Sequence, residues 1–98
     1  MSDLLDPIDR AIGQLSLRRR VRVGEREVEV ALLVRTRDWR PVSAAWWRGK
    51  EASVIGADLR GNFFLRHCDG SVGYWDHALG TDMIIAPSVR EFVSSLHE

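Results

Sequence analysis

Ninety-eight residues make one domain, and side chains that are 45% apolar and 29% charged belong to a chain that folds rather than one that stays disordered. The 14 basic and 14 acidic side chains cancel, which argues against wholesale attraction to nucleic acid or an anionic membrane and leaves recognition to local patches. No uncharged stretch, residues 41–47 included, approaches the roughly 20 apolar residues that span a bilayer. The acidic start over 1–10 lacks the basic opening of a signal peptide, and Cys68 is the only cysteine, so a reduced, cytoplasmic setting is expected.

In chain order, Leu4, Leu5, Ile8, Ala11, Ile12 and Leu15 recur at three- and four-residue spacing, the pattern of one helical face. Asp6 and Pro7 read as an N-cap and a first-turn residue, so a helix is predicted over about 7–15. The period then changes to two: Val21, Val23, Val28, Val30, Leu32 and Val34 alternate against charged or small residues over 19–35. With Gly24 and Glu25 as the turn, Val21 faces Val28, Arg22 faces Glu27 and Arg20 faces Glu29, and a slip of one residue would set valine against charge. Residues 42–47 read as a third strand ended by Gly49. Further strands are predicted over 53–57, 62–68, 71–75 and 83–86, with Asp69-Gly70 as a hairpin turn. Ser88 and Glu91 open a capping box for a last helix over about 89–96, burying Val89, Phe92, Val93 and Leu96. The expected fold is α+β, a single domain over 1–98: an antiparallel sheet of about five or six strands with an N-terminal and a C-terminal helix packed on it.

Few residues point to catalysis. His67, Cys68, Asp69, Asp76 and His77 hold suitable atoms for a metal or a thiol nucleophile, but His67 and Cys68 are neighbours in a strand and point to opposite faces. The glycines form no phosphate-cradling run. A non-enzyme without metal or cofactor is expected. The aromatic residues are more informative, because Trp39, Trp46 and Trp47 fall among Arg37, Arg40 and Arg48, and 16–50 carries 10 basic and 4 acidic residues. If 42–47 is a strand, Trp46 and Trp47 face opposite ways, one into the core and one outward as an anchor. Tryptophan and arginine together suit a protein partner. They also suit single-stranded nucleic acid, with bases on the rings and phosphates on the guanidinium groups, and an open sheet edge would suit a homodimer.

Over 54–96 the chain resembles the SUKH superfamily of Smi/Knr-type domains. The resemblance is carried in order by Ile55-Gly56-Ala57-Asp58, Asn62-Phe63-Phe64-Leu65, Gly73-Tyr74-Trp75-Asp76-His77 and the run from Ile85-Ala86-Pro87-Ser88 to Val89-Arg90-Glu91-Phe92-Val93. It implies an α+β sheet flanked by helices and a non-catalytic role, many bacterial members being immunity proteins that bind and neutralise toxins. From the tryptophan and arginine grouping together with the aromatic sheet surface, the expected partner-binding residues are Arg40, Trp46, Trp47, Arg48, Tyr74, Trp75, Asp76 and His77.

Overall fold

The first hairpin forms in the register that its valines and charges dictate. In the computed structural model, which describes residues 7–98, strand β1 (Arg20–Val23) pairs antiparallel with β2 (Arg26–Leu33). Val21 stands opposite Val28, Arg22 opposite Glu27 and Arg20 opposite Glu29. Arg19 adds an ion pair to Glu29 at 2.7 Å. Leu4, Leu5 and the predicted N-cap Asp6 lie outside the described residues.

Strands β3 (Ala52–Asp58), β4 (Phe63–His67), β5 (Val72–Asp76) and β6 (Thr81–Ala86) follow, and the six strands lie in chain order as one antiparallel meander. Three of the junctions carry a bulge. Val30 opposes Asp58 but Leu32 already opposes Ala57, so Ala31 is an extra residue. That insertion turns Leu33 inward at 9% exposure and leaves Leu32 at 49%, the reverse of strict alternation. Ile55 and Ile85 are the extra residues of the other two bulges.

The strand predicted over 42–47 does not form. Pro41 makes an isolated bridge to Ser53, the Val42 N–H donates to the Ala52 carbonyl at 2.7 Å, and the chain then leaves the sheet. The physical reason is that adjacent tryptophans in a strand point to opposite faces, whereas both Trp46 and Trp47 pack, half-buried, against the same face. The Ser43-Ala44-Ala45 run, with no β-branched residue, offers the sheet little to pack.

Helices α1 (Pro7–Gly13) and α2 (Val89–Ser94) cover one face of the sheet. Ile8 and Ala11 of α1 meet Phe92 of α2 and Leu96 beyond it over Val21, Val30, Ile55, Phe64 and Val72. Helix α1 ends at Gly13, short of the predicted 15, yet Leu15 still packs against this core from the turn that follows. The Ser88 hydroxyl caps α2 by accepting from the Glu91 N–H at 3.1 Å. After α2 the tail returns to the sheet, and Arg20 and His97 exchange both backbone hydrogen bonds along the outer edge of β1. The opposite face holds a smaller apolar cluster of Ala52, Leu65 and Trp75, roofed by the segment between Val42 and Lys50, the tryptophan loop. No helix among the described residues is long and apolar enough to cross a membrane.

Candidate functional site

The chain between β2 and β3 makes two excursions, each delivering tryptophan to one face. After Leu33 it passes through a 3-10 turn at Thr36–Asp38. The Thr36 N–H donates to Asp9 of α1 at 3.0 Å, and Trp39 packs against the helix-side core. The Trp39 indole donates to the Val34 carbonyl at 2.9 Å, and the Arg66 guanidinium lies 5.8 Å above its ring. Beyond the Pro41 bridge the chain crosses to the other face and lays down Trp46 and Trp47.

Trp46 stacks on Trp75 at 5.0 Å and on Phe63 at 5.6 Å between ring centroids. The His77 ring stands edge-on to Trp46 at 5.2 Å and to Phe63 at 5.1 Å. Trp47 meets Trp75 edge-on at 6.0 Å and tilts over His67 at 5.5 Å. Its own loop closes around it: the indole donates to the Lys50 carbonyl at 2.9 Å, and a Cβ on Gly49 would stand only 2.7 Å from the Trp47 ring. Both tryptophans are half-buried, while Arg48, Gly49 and Lys50 beside them are exposed. Arg48 and Lys50 enter no ion pair among the described residues. The Trp75 indole donates to Nδ1 of His77 at 3.0 Å, which places the proton of the neutral imidazole on Nε2.

Strand β5 divides the expected site between two faces. Trp75 points to the tryptophan loop, whereas Tyr74 and Asp76 point to the helix side, and Tyr74 belongs to that core. There Tyr74, Asp58 and Asn62 form a buried polar staple. The Tyr74 hydroxyl donates to Asp58 Oδ2 and accepts from the Asn62 amide at 2.9 Å. Asp58 Oδ1 accepts the Arg60 and Asn62 N–H groups, both at 2.9 Å, and Asn62 Oδ1 accepts the His77 N–H at 2.9 Å. Burial first, then the hydrogen bond to Asp58, pushes the Tyr74 hydroxyl up to about 12. Asp76 accepts from the N–H groups of Ala78 and Leu79 and pairs at 3.5 Å with Arg26. Arg26, Arg60, Asp76 and His77 line a shallow cleft of 450 Å³ beside this staple.

A second polar contact lies beneath Trp47. His67 on β4 and Asp82 on β6 meet across β5, Nε2 to Oδ2 at 2.8 Å, with little side-chain exposure. Between them β5 passes as Gly73, where a Cβ would collide with Asp82 Oδ1 and stand 2.9 Å from His67 Nε2. Neither Nε2 nor Oδ1 finds an aligned hydrogen-bond partner, so the contact is one of charge more than of direction. Burial holds the Asp82 carboxyl above its ordinary range, against the opposing pull of His67.

Of the expected residues, the structure brings Trp46, Trp47, Trp75 and His77 together, with Arg48 exposed beside them. Arg40 folds back, its guanidinium donating to the Trp39 carbonyl at 2.8 Å and the Arg37 carbonyl at 3.2 Å. Phe63 and His67 join the site without having been singled out for it. Strand alternation from Trp75 through the β4–β5 turn could have found both. Among the described residues no three His, Cys, Asp or Glu side chains converge as a metal site, and Cys68 is exposed. No family model, curated protein or solved structure matches the chain.

Proposed function

We propose that the chain is a non-catalytic protein-binding module that docks an acidic partner on the tryptophan loop, with Trp75 and His77 completing the surface. One observation carries this reading: two adjacent, half-buried tryptophans are held on one sheet face beside Arg48 and Lys50, which no carboxylate among the described residues neutralises. Large aromatic rings held in place lose little entropy on binding, and free cations at their rim steer a complementary surface into contact. In the form suggested by the SUKH resemblance, the partner is a toxin and the module its inhibitor.

Single-stranded nucleic acid is the competing occupant. Trp46 already spends a ring face on Phe63 and Trp75, and the Trp47 ring is pressed against Gly49, which favours a protein surface over intercalated bases. The test is affinity capture from the native cell with the wild type, Trp46→Ala, Trp47→Ala and the Arg48→Glu, Lys50→Glu double variant. One partner recovered by the wild type and weakened about 30-fold by a tryptophan change is the expected result. Equal recovery by all four would overturn the assignment of the surface. Salt-steep binding to a mixed oligonucleotide would transfer it to nucleic acid.

A further inference from the structure

We propose that His67 and Asp82 form a proton-operated seat for the tryptophan loop, so that docking on this surface strengthens when the imidazole gains a proton. The proposal rests on reading that loop as the docking surface. Three adjacent strands build the seat: β4 supplies His67, β6 supplies Asp82, and β5 passes between them as glycine, the one residue that lets the two side chains meet over it. Such a contact, 2.8 Å long but without an aligned hydrogen bond, depends on charge. With a neutral imidazole, the pair is a largely buried carboxylate bearing an uncompensated charge. With an imidazolium, the pair is neutral as a whole.

Trp47 senses the same proton from above. Its ring centroid lies 5.5 Å from that of His67, inside the distance at which a cation is attracted to an aromatic face, an attraction absent from the neutral ring. Protonation therefore draws His67 towards Asp82 below and Trp47 above. The remaining charged groups nearby do not duplicate this role. Asp69, in the β4–β5 turn, also attracts His67 by charge, but it is exposed to solvent and engaged first by the Ser71 hydroxyl and N–H. Lys50 and Glu51 close the loop beside Ala52, the β3 partner of His67. Arg66 is turned to the opposite face over Trp39, and Cys68 is exposed. Strands β3 and β5 place Ala52 against His67, Trp75 against Asp82 and Gly73 between the two, none of them charged.

The experiment is an NMR titration of the whole chain from pH 8 to 5, following the Trp47 indole N–H, assigned through Trp47→Phe, and the His67 ring protons. The proposal expects both signals to move with one midpoint. It also expects indole exchange with solvent to slow about fivefold more than its intrinsic pH dependence as His67 gains its proton. In Asp82→Asn the shared midpoint should fall, because the imidazolium loses its carboxylate. A Trp47 indole indifferent to the His67 titration, or a shared midpoint that Asp82→Asn leaves unmoved, would overturn the proposal. If that variant does not fold, the wild-type titration decides alone. Because no partner is present, a failed capture experiment and a failed seat are told apart; with the partner added, affinity should be about fivefold higher at pH 5.5 than at pH 8.

Discussion

Tyr74 shows how one hydroxyl can staple a sheet. It joins a turn carboxylate, Asp58, to Asn62, which in turn holds the backbone of His77. Tyr74→Phe would leave the buried Asp58 Oδ2 without its donor, and we expect a loss of about 1–3 kcal/mol in urea unfolding. The pH dependence has a definite sign. The folded hydroxyl sits at about 12, above the ordinary value of 10, so the folded state holds the proton more tightly. Its contribution is complete below pH 10 and is lost as pH rises from 10 to 12. Tyr74→Phe should remove that alkaline decline, and a variant declining as steeply as the wild type would refute the staple. The sequence pattern groups Tyr74 with Trp75, and strand alternation corrects it. Strand alternation separates Tyr74 from Trp75, and an exposed aromatic pair over 74–75 conflicts with the same rule that separated His67 from Cys68.

At the level of elements, the regular parts were legible and the irregular ones less so. The first hairpin could be read down to its register because valine and charge alternate without interruption and any slip is penalised twice. The bulges at Ile55 and Ile85 fall at Gly56 and Gly73, glycines within strands that are a common sign of a bulge, whereas the one at Ala31 has no such mark. The tryptophan loop was misread as a strand because Val42 and the tryptophans have high strand propensity, while the decisive fact, that one face needed covering, lies in β4 and β5. Once formed, the loop depends on a close approach. Gly49→Ala would bring a methyl to 2.7 Å from the Trp47 ring, and we expect it to displace the ring and to cost about 1–3 kcal/mol. Near-UV circular dichroism and the Trp47 indole resonance should both change, with the strands intact by far-UV measurement. An unchanged indole signal would show that the ring does not rest on residue 49.

Across the whole molecule, the helices and the tryptophan loop divide the two faces of one sheet, and the C-terminal tail ties the helical side to β1. His97 bonds Glu27 at 2.9 Å as well as exchanging backbone bonds with Arg20. Its imidazole is raised above the ordinary value, first by the Ser95 carbonyl and then by Glu27. A raised imidazole stabilises fully below pH 6.5 and loses that effect as pH rises through the folded value. Urea midpoints at pH 5.5 and 8.5 should therefore lie closer together in His97→Gln than in the wild type. An unaltered separation would mean that the imidazole does not hold Glu27 in solution.

The central claim is that the face under the tryptophan loop is where a partner docks, and the direct measurement is a backbone and indole NMR map of the isotopically labelled chain titrated with the captured partner. Shifts concentrated in 42–50, Trp75 and His77, with the α1 and α2 surface unmoved, are the predicted result. Shifts confined to the helical face or to the β1–β2 hairpin, with Trp46 and Trp47 silent, would contradict it.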